Sequence, residues 1–388
     1  MPDPLEGRRD ADGRTSPLAR VPSDGRAPLD GADGPGRHDW VATGRDEVRA
    51  VLADERFSTR PPADTDDDAR GLSQPGNPLQ CDPPEHTRLR RMLTPEFTLR
   101  RARGMEPLIE RIVEERLDVM ERAGRPADLM RHFAWPVPGL VGCSLLGIPR
   151  DDQPDLARNM ILSRRPGHPR KLMLAAGNAF DGYLTRFVAR KRRDPSAEDL
   201  ISTLIREHGT EVDDAELVGF CAALLAAGLE NMSGTLGLGT LALLRHRDQL
   251  DLLRRRPELM DQAVEEILRY ATPVPIASPR TALADVPVAG QVVGKGEIVA
   301  CALAAANGSR AHSAEPQDFD ITRENATHVA FGHGVHFCVG AALVRSELRI
   351  AFAKLVDRFP GLRLAVPPEE LLFVSAPQRG VEALPVTW

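Results

Sequence analysis

A helical pattern runs unbroken from Asp213-Asp214-Ala215-Glu216, where a capping acid is followed three residues later by glutamate, to about His246. At 1.5 Å per residue such a helix is about 50 Å long. Its middle, Leu217 to Leu229, is apolar nearly all round. A helix without a polar face has to run through the centre of a fold, so the remaining chain must supply elements that surround it. With 388 residues, 42% hydrophobic and 27% charged, it can build that core. The apolar run of 13 residues falls short of the ~20 needed to cross a bilayer. No signal-peptide core opens the sequence, so the expectation is a soluble cytoplasmic protein with no membrane segment.

Fifty basic side chains against 56 acidic ones give a net charge of −6, which does not favour a nucleic-acid partner bound through its phosphates. The five cysteines, at 81, 143, 221, 301 and 338, are odd in number and never spaced Cys-x-x-Cys. Neither a disulfide framework nor a zinc site is indicated, and a reducing compartment fits. Residues 1–38 hold six each of Pro, Gly, Asp and Arg and can build little core; 1–16 are expected to be disordered. A strand then a helix are expected from about Asp39 to Leu52, and 58–84 read as a long loop. Helices are expected over about 86–93, 104–123, 139–148, 172–192, 197–206, 258–270 and 339–358. Short strands are expected within 274–301 and in the tail. No repeat or linker appears after residue 40. One mainly α domain with a small β-sheet region, over 17–388, is the expected fold.

The most specific segment is Phe331-Gly332-His333-Gly334-Val335-His336-Phe337-Cys338-Val339-Gly340, succeeded at once by a helical pattern. A cysteine beside a helix N-terminus is favoured as thiolate, because free N–H groups and the helix dipole face it. A thiolate in a glycine-rich turn can ligate a soft or borderline metal, haem iron among them.

This loop resembles the haem-ligand loop of the cytochrome P450 family, with Phe331, Gly332, Gly334, His336, Cys338 and Gly340 on the family's positions. The resemblance spans most of the chain. It implies the P450 fold, with the long helix over the haem and Cys338 on the iron. Glu266-Ile267-Leu268-Arg269 matches the family's Glu-x-x-Arg motif, whose side chains share one helix face. His86 and Arg90, in His86-Thr87-Arg88-Leu89-Arg90, fall on positions that reach the haem propionates, as do Arg280 and His336. In the central helix, Ala226-Ala227-Gly228-Leu229-Glu230-Asn231-Met232 resembles the oxygen-activation segment: Ala227 and Gly228 are the small residues at the haem and Glu230 is the acid. The Thr that normally comes after the acid is replaced by Asn231. Asp318 stands where the family offers an Arg partner to Glu-x-x-Arg, and the family's first helix is expected to be short or absent.

The resemblance implies an oxygen-dependent monooxygenase or oxidase with haem b, O2 as cosubstrate and electrons from NAD(P)H through a ferredoxin reductase and a ferredoxin. The basic residues Arg88, Arg91, Arg100, Arg101 and Arg103 are candidates for docking an acidic ferredoxin. Substrate positions in the family are the loop near 61–80, the segment near 160–175, Ala223, Ala227, Ile276, Ala277, Ser278 and the tail from Phe373 to Ser375. They are mostly small or apolar, so a bulky ligand held by shape is expected. Asn231-x-Ser233-Gly234, Pro149-Arg150-Asp151-Asp152 and residues 82–99 look like those of actinobacterial enzymes that cross-link aromatic side chains in peptide antibiotics. Oxidative coupling of an aromatic, peptide-derived or cyclodipeptide substrate is expected slightly ahead of C–H hydroxylation of a polyketide, macrolide or terpenoid. A carrier or recruitment domain is a further expected partner. A haem-binding sensor without turnover is the remaining class, disfavoured by the acid at Glu230.

Overall fold

The computed structural model describes residues 18–20, 38–60, 75–164, 168–309, 317–324, 326–374 and 378–388. The expectations for 1–16, for most of the 58–84 loop and for Ser375 fall outside them, as do 165–167 of the segment near 160–175. The chain divides into two compact units. One comprises Met1–Pro62, Phe97–Ala134 and Asn231–Trp388; the other comprises Ala63–Glu96 and Trp135–Glu230. The first unit carries the sheets. Its five-stranded sheet has the spatial order Leu18–Arg20, Trp40–Ala42, Ile298–Cys301, Arg280–Ala282, Phe57–Ser58. Only Trp40–Ala42 and Ile298–Cys301 pair in parallel, with Trp40 opposite Val299 and Val41 opposite Ala300. Trp40, Ala42, Val299 and Cys301 are buried against Val48, Val51 and Leu52 of the helix Arg45–Ala53, the apolar positions whose spacing marked that helix in the sequence.

In the same unit the helix Ala341–Arg358 packs along the helix Leu99–Ala123. Leu348, Ala351, Phe352 and Leu355 are buried on the former, and Ile109, Val113, Leu117 and Met120 on the latter. Arg358 donates to Asp118 at 2.8 Å and to Glu114 at 2.7 Å along the rim of that contact. Leu99–Ala123 starts five residues earlier than its expected start at 104. Thr98 caps it, its Oγ1 accepting from Arg101 N at 3.4 Å, and Pro107 is carried inside the helix. A proline there removes one backbone bond, and the buried stripe on both sides of it keeps the helix continuous.

The second unit is helical: Glu85–Leu93, Pro136–Leu146, Gln153–Arg164, Arg170–Arg193 and Leu200–His208. Gln153–Arg164 was not expected as a helix; Pro154 sits in its first turn, where no N–H is needed, and its buried apolar stripe is short, Leu156 and Met160. Arg247–Arg255 was also unexpected. It has a clear stripe, Leu250 and Leu253, but comes after the long helix with a break at His246 alone. The long helix is Asp214–Arg245, 32 residues, and Asp213 caps it, its Oδ1 accepting from Glu216 N at 2.8 Å while Glu216 Oε2 accepts from Asp213 N at 3.2 Å. Among the described residues it alone is long and apolar enough to cross a membrane, yet 61% of its most apolar window is buried inside the protein. That agrees with a core helix.

Candidate functional site

The glycine-rich loop is built by backbone geometry. Gly332 and Gly334 both take φ near +70°, at +71° and +72°. A Cβ on Gly334 would lie 2.4 Å from Leu52 O, so only glycine lets the loop pass the end of Arg45–Ala53. Gly332 N donates to Val329 O at 2.8 Å, Phe337 N to Gly334 O at 3.0 Å and Cys338 N to Phe331 O at 2.9 Å. These bonds close the loop so that Phe331 and Cys338 face across it. The helix begins at Ala341 with Gly340 as cap, two residues later than expected, so Cys338 precedes the first turn and its own carbonyl accepts from Ala341 N at 3.4 Å. His336 lies in a short turn, Gly334–His336, and is half-buried.

Cys338 stands apart from the other cysteines. Cys81, Cys143, Cys221 and Cys301 are buried, and Cys338 is the one that is not. Burial pushes the thiols of Cys143 and Cys301 up to about 12 and that of Cys221 further still. Those three are inert protonated core residues.

Behind the loop lies a buried charge cluster. Arg269 donates from Nε to Glu266 Oε2 and from Nη2 to Glu266 Oε1, both at 2.7 Å, with side-chain exposures of 4% and 1%. Arg269 also donates to the carbonyls of Asn307 at 3.1 Å and Asp318 at 2.9 Å. The second cation, for which the sequence offers only an acid at Asp318, is supplied by Arg323, whose Nε lies 3.3 Å from Glu266 Oε2 and whose Nη2 donates to Asp318 O at 3.0 Å. Asp318 thus contributes its carbonyl, not its carboxylate. Arg323 could have been found as the first arginine after Phe319-Asp320. Asn307, also missed, accepts from Val329 N at 2.8 Å and so ties the loop's start to this cluster.

On the sheet side, Arg280 is buried at 4% exposure, and its Nη1 donates to Ser278 O at 2.7 Å, to Pro279 O at 3.3 Å and to Thr59 Oγ1 at 3.3 Å. Those acceptors are neutral oxygens. Ile276 and Ala277 are half-buried, Ala277 N donating to Cys301 O at 2.9 Å, while Ser278 is exposed. Phe373 is half-buried in the hairpin that pairs Phe373–Val374 with Gly380–Val381. In the second unit His86 is buried and Arg90 half-buried, one turn apart on Glu85–Leu93.

Along the long helix, Leu225, Leu229 and Met232 are buried, whereas Ala223 and Glu230 are half-buried and Ala227 is exposed. A Cβ on Gly228 would meet nothing within 4 Å. One stripe of this otherwise buried helix is therefore left open by small residues. Asn231 comes next after Glu230, half-buried; its Oδ1 is shut off from solvent and has no hydrogen-bond partner among the described residues. Of the basic candidates, Arg88 is paired with Glu216 and donates to Glu211 O at 3.0 Å, and Arg91 donates to Glu211 at 2.8 Å. Arg100, Arg101 and Arg103 are exposed.

A family model described as Cytochrome P450 matches residues 149–370. Among curated proteins, "Cytochrome P450 165B3" of Amycolatopsis orientalis is 45% identical over 362 residues, covering 90% of this chain and 89% of the relative. Among solved structures, OxyC, "a Cytochrome P450 Implicated in an Oxidative C-C Coupling Reaction During Vancomycin Biosynthesis", is 44% identical with a TM-score of 0.83, covering 90% of this chain and 86% of that one. The "Complex of the X-domain and OxyB from Teicoplanin Biosynthesis" is 43% identical with a TM-score of 0.87 and covers 100% of both chains.

Proposed function

Because the chain belongs to the cytochrome P450 family, we propose that residues 17–388 form one haem-thiolate domain that oxidatively couples aromatic groups of a peptide-derived or cyclodipeptide substrate through a new C–C, C–N or C–O bond. The residues present fit a haem: the one unburied cysteine lies in a closed glycine loop, and small residues open a stripe of the long helix. Cys338 would hold the iron of haem b, while His86, Arg90, Arg280 and His336 would bind its propionates. When bound, a thiolate-ligated haem would supply the redox chemistry that reduces O2. Electrons come from NAD(P)H through a ferredoxin reductase and a ferredoxin.

Asn231 is the observation that favours coupling. Glu230 moves protons, and the next side chain normally offers a hydroxyl to pass them on. Asn231 offers a buried amide oxygen that meets no donor among the described residues. Such an atom is costly to leave unpaired, so a water or a substrate N–H or O–H is the natural complement. A phenol, indole or peptide N–H would complete the relay and also be the group oxidised. The likeness to OxyC, at 44% identity, supports the same reading. The likeness to the OxyB complex at 43% supports a recruitment domain as partner.

The two reactions differ in mass. Coupling removes two hydrogens from the substrate while two electrons and two protons from outside take O2 to two waters. Hydroxylation inserts one oxygen atom and releases one water. Turnover of aromatic peptides with ferredoxin and reductase should give products lighter by two hydrogens; products heavier by one oxygen would replace coupling with hydroxylation. Donor docking on Arg100, Arg101 and Arg103 should make reduction slower as salt rises, since exposed charges steer only within a Debye length of about 10 Å at 0.1 M. A reduction rate independent of ionic strength would remove that face as the docking site.

A further inference from the structure

We propose that Glu265 is a positioning residue that clips both flanks of the Phe331–Cys338 loop to the helix Met260–Tyr270 and thereby keeps Cys338 presented as a thiolate ligand. This rests on the haem-thiolate reading above. Glu265 and Glu266 are consecutive but face different partners. Glu266 binds Arg269, Arg323 and the N–H of Asp320, whereas Glu265 turns to the ligand loop. On the C-terminal flank, Arg345 grips it with both prongs, Nε to Oε1 at 2.6 Å and Nη2 to Oε2 at 2.9 Å. On the N-terminal flank, His328 Nε2 lies 3.2 Å from Oε2. Ala330 N donates to His328 Nδ1 at 3.2 Å. With Nδ1 an acceptor, the ring proton sits on Nε2 and points at the carboxylate.

One carboxylate thus holds a residue three positions before Phe331 and another seven positions after Cys338. Arg345 closes the circuit: its Cζ lies 4.6 Å above the ring of Phe331, which also packs against His328 at 5.7 Å and Phe337 at 6.1 Å. A guanidinium fixed over a ring face is attracted by the ring quadrupole, and fixing the ring fixes the Phe331 carbonyl that accepts from Cys338 N. The planar bidentate grip is what a lysine at 345 would lose. Loop closure and sulfur presentation therefore depend on a group that touches neither.

The readout is the reduced, carbon monoxide-bound holoprotein, whose red-shifted Soret band reports a thiolate ligand and whose unshifted band reports its loss. Glu265→Gln should convert from the first band to the second roughly tenfold faster than the parent, the equivalent of about 1.4 kcal/mol. Arg345→Gln should do the same and Arg345→Lys less. Since the Arg345 side chain is 40% exposed, its variants serve if Glu265→Gln does not accumulate. The control is Glu106→Gln, which breaks bonds to Arg349 at 2.6 Å and Ser346 at 3.0 Å on the same helix but away from the loop, and it should convert at the parental rate. Parental conversion in the Glu265 and Arg345 variants would overturn the clip, as would equally fast conversion in Glu106→Gln. A parent protein that never shows the red-shifted band would overturn the haem-thiolate reading itself and the clip with it.

Discussion

The Phe331–Gly340 loop and the Glu230–Asn231 turn of the long helix are held in opposite ways. Around the loop, the polar groups are matched several times over: Val329 N on Asn307, Gly332 N on Val329, Cys338 N on Phe331, and Glu265 shared between Arg345 and His328. Behind it, Glu266 accepts from Arg269, Arg323 and a backbone N–H, almost without exposure to water. At Asn231 a buried amide oxygen has no partner among the described residues; one turn earlier Ala227 is exposed and a Cβ on Gly228 would meet nothing within 4 Å. A ligand loop has to keep one geometry, so it is over-determined. On the proposed reading Asn231 belongs to a reaction site, which has to accept a molecule that is absent between turnovers, so its polar atom is left waiting.

Breaking the saturated side should produce the largest effect. Arg269→Met leaves the Glu266 carboxylate buried with Arg323, itself at 3.3 Å, as its remaining cation. Removing one member of a buried pair costs about 3–5 kcal/mol, because the other charge stays desolvated. Denaturant unfolding should show a loss of that size. A loss below about 1 kcal/mol, the range of an exposed pair, would mean that water reaches the cluster.

An exception on the saturated side gives the next effect. Glu347, on the helix that leaves the loop, is buried, its Oε1 has no partner among the described residues, and burial pushes its carboxyl up to about 8 from the ordinary 4.5. The folded protein keeps this proton where the unfolded chain releases it. Its stabilising contribution is therefore complete below about 4.5 and declines as pH rises to about 8, by at most roughly 1.4 kcal/mol per pH unit. Glu265 is the opposite case. Burial pushes it up, but the hydrogen bonds of His328 and Arg345 win and hold it at about 2, so its contribution is present above 4.5 and lost as pH falls toward 2. Stability curves against pH should show Glu347→Gln flattening the alkaline side and Glu265→Gln the acid side. An unchanged alkaline slope in Glu347→Gln would mean that Glu347 is ionised in the fold.

Helical periodicity was informative where apolar stripes were long. The long helix, Leu99–Ala123 and Ala341–Arg358 were legible because Ile109, Val113, Leu117, Leu348 and Phe352 recur at helical spacing. Gln153–Arg164 was missed because the face it buries is short and partly polar, Gln153, Leu156 and Met160. The loop was legible because its glycines sit where φ must be positive. Arg323, Asn307, Glu265 and His328 were not, because each acts through a partner 22 to 80 residues away. Spacing along one helix cannot display such pairings. The departure at Asn231 was visible in the sequence, but its unpaired oxygen was not.

The smallest effect should come from filling the unsatisfied side. Glu230→Gln removes the acid and should lower turnover by roughly 10²-fold, as loss of a general acid does. Asn231→Thr restores a hydroxyl beside Glu230 without changing charge or removing the acid, so turnover should stay within about threefold. What should move is the destination of electrons. With a protein hydroxyl in the relay, protons no longer depend on a substrate N–H or O–H, so the fraction lost as peroxide should fall with poor substrates and the product mixture should shift from coupled toward hydroxylated. Measuring peroxide per NAD(P)H alongside product masses separates this from packing. If Asn231→Thr changes neither while Glu230→Gln still slows turnover, the relay is complete without residue 231. The unpartnered oxygen at Asn231 would then be a helix-packing feature, and its contrast with the ligand loop would carry no chemistry.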